Sequence, residues 1–282
     1  MIREYLIEKG LFTINMFLTV ICTLLVICIF AETIPIIQDY GFINFISGII
    51  WSPDNNQFGV LSMIFTSLVI TLLSLVMATP LSIACAIFLE EIAPKNIKNM
   101  FKPIIQTLAG IPSVIYGFFG ITVVVPFIRD VFGGSGFSIL TASVILAIMI
   151  LPTIISVSQD AIRTVPNYYK QASLALGSTQ WHVIKNIIFP IAFPGFLTAI
   201  ILGVGRAVGE TLAVLMVIGN VDIFPTSVLA PARTLTSNIA LEMGYATGIH
   251  YNALFTTAGV LFIIITVLML ISTYIQYKLK RC

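Results

Sequence analysis

The hydrophobic and polar residues of the chain alternate in long blocks. Five runs of at least 22 residues contain no Asp, Glu, Lys or Arg. Because a helix of about 20 apolar residues crosses the hydrocarbon core of a membrane, each run is predicted to hold one membrane-spanning helix. A sixth apolar stretch is long enough to cross although it contains Arg206 and Glu210. The predicted spans are residues 11–36, 60–89, 103–128, 138–159, 191–221 and 251–277.

Composition excludes most soluble classes of protein. Hydrophobic residues make up 58% of the 282 residues and charged residues 9%, against about 25% charged residues in soluble domains. The mean hydropathy is +1.06. The net charge is +2, and the basic residues are dispersed, so there is no stripe for a nucleic-acid backbone. The chain is predicted to be a multi-pass protein of the cell membrane, in contact with lipid and not with nucleic acid.

Lysine and arginine in the loops predict the orientation, because cytoplasmic loops are enriched in them. One set of alternating loops and ends carries 11 of these residues, the opposite set carries 2, and Arg206 lies within a span. The larger set comprises Arg3, Lys9, Lys95, Lys98, Lys102, Arg163, Lys170, Lys185, Lys278, Lys280 and Arg281; the smaller comprises Arg129 and Arg233. This asymmetry supports six spans with both termini cytoplasmic. The first apolar run lacks a cleavage site and exceeds a signal core in length, so it is predicted to remain as a helix.

Cysteine and histidine indicate neither a metal site nor a disulfide framework. The four cysteines are Cys22, Cys28, Cys85 and Cys282, and no two form a C-x-x-C pair. They are interpreted as small hydrophobic residues that fill gaps between helices. His182 and His250 stand apart from other ligand types in the sequence. No metal is assigned.

The loop between the fourth and fifth spans, residues 160–190, is the longest predicted cytoplasmic connection. Pro166 is suited to a helix start, and good helix formers follow it up to Leu176. Gly177 is predicted to end this helix as a C-terminal cap. A second amphipathic stretch, residues 181–189, leads into Pro190. The loop is therefore predicted to present two short helices, separated by a glycine, to a cytoplasmic partner.

This loop resembles the EAA loop of ABC importer permeases, whose pattern is Glu-Ala-Ala, three residues, Gly, nine residues, then Ile-x-Leu-Pro. The matching positions here are Gln171, Ala172, Ser173, Gly177, Ile187 and Pro190. The spacing from glycine to proline is the same, while Gln171 replaces the acidic residue and Phe189 the leucine. The resemblance implies that the loop is a coupling element that docks on an ATP-binding subunit, although Gln171 does not supply the acidic side chain that the family has at this position.

ATP itself has no predicted site in this chain. The phosphate loop G-x-x-x-x-G-K-[ST] is absent from the sequence. The glycines at 203, 205 and 209 do not have the spacing of a dinucleotide fingerprint and lie within a predicted span. The chain is therefore interpreted as a transporter subunit without catalytic residues or a cofactor of its own, driven by ATP that a separate chain binds.

Arg206 and Glu210 are two charged residues near the middle of the predicted fifth span, residues 191–221. Spaced four residues apart on one helix, they would share a face and neutralise each other, which offsets the cost of placing charges in hydrocarbon. One reading is an ion pair that only fixes helix packing. The other is an anion site on the translocation pathway, since the planar arginine fork donates two parallel hydrogen bonds to an oxyanion. The nearby glycines would allow helices to pack closely or a ligand to approach the backbone.

The surrounding sequence is similar to the C-type subunit of phosphate-specific ABC transporter permeases. The similarity lies in GVGRAVGETLAVLMVIGN at 203–220, VLAP at 228–231 and TLTSNIALEM at 234–243. It implies an all-α type I importer fold of six spans, transport of inorganic phosphate, and a role for Arg206 and Glu210 in its movement. The implied partners are an A-type permease subunit in a heterodimer, two copies of an ATPase, and an external phosphate-binding protein.

The resemblance divides the chain into residues 1–56, an N-terminal helix with its external loop, and residues 57–277, the transporter domain with the coupling loop 160–190. Two alternatives remain at this point. A permease of the same fold could carry another oxyanion, such as sulfate or molybdate. A proton-coupled secondary transporter could use Glu210 as a proton relay, but such a carrier would need no docking loop for an ATPase.

Overall fold

The computed structural model describes the backbone of residues 2–279 and the side chains of residues 8–278. Lys280, Arg281, Cys282 and the side chain of Arg3 lie outside this part. The helices are α1 Ile2–Asp39, α2 Phe42–Ser47, α3 Leu61–Ile87, α4 Lys95–Gly110, α5 Ser113–Phe119, α6 Val125–Phe132, α7 Ile139–Arg163, α8 Asn167–Ala175, α9 Gln180–Val183, α10 Phe189–Val208, α11 Leu212–Val217, α12 Leu235–Glu242 and α13 Ile249–Leu279. A short antiparallel hairpin joins β1 Trp51–Ser52 to β2 Gln57–Phe58. Turns of π-helix follow α3, α5 and α9, at Phe88–Ile92, Gly120–Val124 and Ile184–Ile188.

Six helical segments of the described chain are long and apolar enough to cross a membrane, which confirms the number of predicted spans. They are Glu8–Asp39, Leu61–Ile92, Ser113–Phe132, Ile139–Arg163, Gln180–Val208 and Ile249–Lys278. The first, second, fourth and sixth agree with the predicted bounds to within a few residues. The third and fifth differ because the chain is broken within the predicted stretches.

The predicted third span contains a helix break, and the crossing segment Ser113–Phe132 begins only after it. Helix α4 ends at Gly110, Ile111 is extended, and α5 begins after Pro112. A residue before proline is disfavoured in the α conformation, and proline lacks the N–H that would continue the helix. The Leu108 carbonyl oxygen accepts from the N–H of Ile111 at 3.3 Å and from the Tyr116 hydroxyl at 2.8 Å, although Pro112 cannot supply the usual helical N–H. The predicted span 103–128 therefore covers the end of α4 as well as α5.

The fifth crossing is also broken. Helix α10 ends at Val208, and α11 begins at Leu212. Helix α10 runs antiparallel to α7, since Gly195 adjoins Ala161 and Gly203 adjoins Ile154. At 1.5 Å per residue, the end of α10 lies about 15 Å short of the outer end of α7. The break therefore falls near mid-depth of the bundle, inside the predicted span 191–221.

Helix α7 forms the centre of the bundle, whereas α1 lies at its edge. In the most apolar window of α7, 67% of the residues are buried, compared with none in that of α1. Cys22 and Cys28 of α1 are exposed, and Cys85 is half-buried. Within the described chain, Cys22 and Cys28 therefore do not fill gaps between helices as interpreted, because both side chains are exposed on the surface of α1.

Candidate functional site

Arg206 lies in the last turn of α10, beside the break in the fifth crossing. Its Nη1 donates to the Thr153 hydroxyl on α7 at 2.9 Å. Tyr116, in the first turn of α5, lies within electrostatic reach of the guanidinium. The arginine therefore lies at the break in the fifth crossing, about halfway through the bundle, and near the first turn of α5.

The guanidinium of Arg206 is incompletely satisfied by the protein. It has five N–H groups and is half-buried, yet within residues 8–278 the bond to Thr153 is its one hydrogen bond and no carboxylate forms an ion pair with it. A charged side chain at this depth is costly unless it is paired or serves a ligand. The free N–H groups of the fork are suited to an oxyanion.

Glu210 lies on the other side of the break and does not pair with Arg206. The prediction that the two residues share one helical face is wrong, because α10 ends at Val208 and Gly209 redirects the chain. The Glu210 carboxylate instead accepts from the backbone N–H of Ala213 at 3.2 Å, in the first turn of α11. Glu210 therefore has a local structural role that the sequence spacing did not indicate.

A small polar cavity lies beside Glu210. Its volume is about 10 Å³, which is room for one water molecule. Its polar side chains come from three parts of the chain: Ser67, Thr71, Glu210, Thr234 and Thr236. The Thr236 hydroxyl donates to the Glu210 carbonyl oxygen at 3.0 Å. An anion of the size of phosphate does not fit this cavity in the present conformation, so binding there requires the helices to separate.

The glycines around Arg206 serve close helix packing. A Cβ added to Gly203 would lie 2.9 Å from Ile154 Cδ1, and one added to Gly205 would lie 2.6 Å from Met269 Cε. Of the two roles that the sequence allowed for these glycines, the structure favours helix approach over ligand access to the backbone.

The predicted coupling loop has the expected local structure. Helix α8 is followed by Gly177, whose φ is +82°. The N–H of Gly177 donates to Leu174 and the N–H of Ser178 to Ser173, at 3.0 and 3.2 Å, which is the hydrogen-bond pattern of a Schellman cap. Helix α9 follows and continues through a π-helical turn into α10. The prediction of two short helices separated by a glycine cap is confirmed.

The residues that match the EAA pattern are distributed along this loop. Gln171 and Ala172 are exposed on α8, while Ser173 is half-buried there. Ile187 lies in the π-helical turn, and Pro190 is the second residue of α10. Large apolar side chains nearby are also exposed, most of all Leu176 at 88% and Trp181 at 67%. The loop therefore presents an amphipathic surface of the kind that a partner protein covers.

A second polar cluster, at the opposite end of the bundle, was not predicted. The Glu242 carboxylate accepts from Arg233 Nη1 at 2.7 Å and from Trp51 Nε1 at 2.8 Å, and lies 2.8 Å from His250 Nε2. Arg233 also donates to the carbonyl oxygen of Asn220. The sequence suggested that His250 stands apart from other polar ligands, but in the fold it contacts the Glu242 carboxylate. No local sequence motif joins these residues. The one available signal was the presence of two charged residues, Arg233 and Glu242, before the apolar run of the sixth span.

Comparison with known proteins agrees with this geometry. The family profile described as "Binding-protein-dependent transport system inner membrane component" matches residues 78–281. The probable ABC transporter permease protein YqgH of Bacillus subtilis is 43% identical, over 84% of this chain and 79% of its own length. The phosphate transport system permease protein PstC of Mesorhizobium japonicum is 34% identical, over 90% and 83%. The probable PstC of Methanocaldococcus jannaschii is 33% identical, over 87% and 84%.

Solved structures show the fold. A structure of the MetNI methionine ABC transporter in inward-facing conformations has a TM-score of 0.63 at 20% identity and covers 82% of this chain and 99% of the matched chain. A bacterial alginate ABC transporter in complex with its alginate-bound periplasmic protein has a TM-score of 0.68 at 16% identity and covers 96% of both chains. The fold is that of the type I ABC importer permeases, embedded in the cell membrane. By sequence and fold, the chain belongs to the family of binding-protein-dependent transport system inner membrane components, among the proteins similar to the PstC permeases.

Proposed function

We propose that this chain is the transmembrane subunit of an ATP-driven importer that moves inorganic phosphate into the cell. Relatives named as phosphate permeases support the substrate. The observation that carries the proposal is the half-buried Arg206 guanidinium, with free N–H groups, beside the break in the fifth crossing. Broken helices at mid-depth form substrate sites in other transporters.

The proposed complex contains this chain, an A-type permease subunit, two copies of an ATPase and an external phosphate-binding protein. ATP binding closes the ATPases, which move the coupling loop 160–190. The spans then rearrange so that the translocation pathway opens to the outside and accepts phosphate from the binding protein. Arg206 donates its free N–H groups to the phosphate oxygens as the anion passes the helix breaks. Hydrolysis returns the bundle to its inward-facing state, and Glu210, as the first-turn partner of α11, holds the second half of the broken helix in place.

The proposed orientation places both termini and the coupling loop in the cytoplasm. Asn55 and Ser227 lie on the opposite side from Asn99 and Ser178, and each lies outside the predicted spans. In a background without native cysteines, we expect an impermeant maleimide added outside to label cysteines placed at 55 and 227 but not at 99 and 178. Labelling at 178 without permeabilisation would reverse the topology.

Transport by the reconstituted complex tests the substrate. We expect uptake of labelled phosphate into proteoliposomes with ATP on the coupling-loop side, and little competition from sulfate or molybdate. Equal competition by sulfate or molybdate would assign the chain to another oxyanion. Uptake driven by a proton gradient without ATP would indicate a secondary transporter that uses Glu210 as its proton relay.

A further inference from the structure

Two adjacent carboxylates, Glu90 and Glu91, lie in a π-helical turn at the end of the second crossing segment, Leu61–Ile92, which we call span two. The N–H of Ala93 donates to the Phe88 carbonyl oxygen at 2.8 Å, the i to i+5 bond of a π-helix. Such turns are rare and are concentrated at functional sites. The side chain of Glu90 is 5% exposed and that of Glu91 is 13% exposed, so both need partners.

Glu90 contacts the helices of the bundle itself. It forms an ion pair with Arg163 at the end of α7, at 2.6 Å, and another with Lys98 on α4. These contacts join the ends of three helices. None of these three residues lies on α8 or α9, the two short helices of the coupling loop, because Arg163 is the last residue of α7.

Glu91 instead contacts both helices of the coupling loop. Its carboxylate pairs with Lys170 on α8 at 2.5 Å. Its backbone carbonyl oxygen accepts from the side chain of Gln180 on α9 at 2.6 Å. Lys170 is only 18% exposed, so water screens this ion pair less than it would a surface pair. One residue of span two therefore holds the two halves of the loop.

The packing around these contacts is open. A cavity of about 190 Å³ lies between the loop and the helix ends, lined by Leu174, Val183, Ile184 and Ile188 beside the polar side chains. Val183, Ile184 and Ile188 are buried in a hydrophobic cluster with Leu89 of span two, and the polar contacts of Glu91 lie beside this cluster at the same cavity. A second π-helical turn, Ile184–Ile188, begins directly after α9.

Span two also reaches the candidate anion site. Leu75 of span two lies 3.5 Å from a Cβ built on Gly203, one turn before Arg206. Ser67, further along the same helix, accepts from the N–H of Leu235 and lines the cavity beside Glu210. A displacement of span two at Glu91 would therefore shift side chains that contact both halves of the broken fifth crossing.

We propose that Glu91, through Lys170 and Gln180, is the positioning residue that transmits motion of the coupling loop to span two and so to the site at Arg206. The inference rests on the proposed ATP-driven function. If the contacts only stabilise the fold, their loss would impair assembly and leave the ratio of transport to ATP hydrolysis unchanged. A transmitting role changes that ratio in a complex that is still assembled.

The test uses the complete complex in proteoliposomes, with Glu91→Gln, Lys170→Met and the charge exchange Glu91→Lys with Lys170→Glu. We expect each single variant to retain its ATPase and basal hydrolysis, while phosphate uptake per ATP falls by roughly tenfold, within the range of ordinary coupling energies. The exchange should restore most of the uptake. Lys95→Met, at an exposed lysine of the same end, is the matched control and should leave uptake unchanged.

Normal uptake per ATP in both single variants, or a loss that the exchange does not restore, overturns the inference. Dissociation of the ATPase in the single variants also overturns it and assigns the pair to docking alone. Absence of phosphate uptake by the unaltered complex contradicts the proposed function instead, and a second measurement then decides the inference without any substrate.

That measurement is the distance between spin labels at Leu81 of span two and Asn167 of α8, both exposed. In the unaltered complex, we expect the distance to stay constant when ATP is trapped, because the loop and span two move together. In Lys170→Met, we expect it to change on trapping. A constant distance in both complexes, or a change in both, contradicts transmission through Glu91.

Discussion

Replacing Arg206 with glutamine is expected to abolish phosphate uptake while the complex remains assembled. Glutamine retains a donor for Thr153, which now accepts from Arg206 Nη1 at 2.9 Å, but it loses the charge and the fork. Each hydrogen bond from a charged donor contributes about 1.5–3 kcal/mol. Loss of two such bonds to the anion should therefore lower uptake more than about a hundredfold. Uptake of labelled phosphate by proteoliposomes measures the effect, and size-exclusion chromatography measures assembly.

Arg129→Gln provides the matched control. Arg129 lies on α6 and pairs with Asp130 at 3.4 Å, and both side chains are more than half exposed. Surface pairs of this kind contribute little, so this variant should transport normally. If Arg206→Gln also transported normally, the free N–H groups of Arg206 would have no function in the passage of the anion, and the arginine would be a packing element.

Replacing Glu242 with alanine is expected to cause the largest loss of stability. The carboxylate accepts from Arg233 and Trp51 and contacts His250, all at 2.7–2.8 Å. The Arg233 side chain is only 14% exposed. Removal of one partner from a buried ion pair costs about 3–5 kcal/mol, because the other charge stays buried. For a chain of this size, such a loss lowers the apparent Tm by roughly 10 °C.

Thermal unfolding in detergent, followed by tryptophan fluorescence and by light scattering, measures this effect. Glu242→Gln should give an intermediate loss, since the amide oxygen can still accept from one donor but carries no charge. Asp54→Ala, at an exposed position of the hairpin turn, should leave the apparent Tm unchanged. An unchanged Tm for Glu242→Ala would show that the cluster does not hold the hairpin, α12 and α13 together.

The features that were predicted correctly depend on signals within one short stretch of sequence. Six crossings follow from the length of the uncharged runs, because a membrane admits few other structures for such segments. The two coupling helices follow from Pro166 and Gly177, since proline fixes its own φ and glycine readily adopts the positive φ that ends a helix. The break in the predicted third span could have been found in the same way, because Pro112 lies inside that span.

The break in the fifth crossing has no comparably strong local signal. Gly209 stands among other glycines, and glycine is tolerated inside membrane helices where neighbours satisfy the backbone. The spacing of Arg206 and Glu210 is the same in a continuous helix and in a broken one. Neighbouring elements hold the broken form: the Ala213 N–H binds the Glu210 carboxylate, and Thr236 binds its carbonyl oxygen.

The sequence by itself therefore determined the class of protein, the number of crossings and the two-helix form of the coupling loop. Tertiary structure decided which polar groups meet. Thr153 and Arg206 are separated by 53 residues, Glu91 and Lys170 by 79, and Trp51 and Glu242 by 191. Apolar runs are read from hydrophobicity over about 20 residues. A polar contact between residues that are 53 to 191 positions apart in the sequence depends on helix packing. Packing brings together residues that share no local sequence pattern.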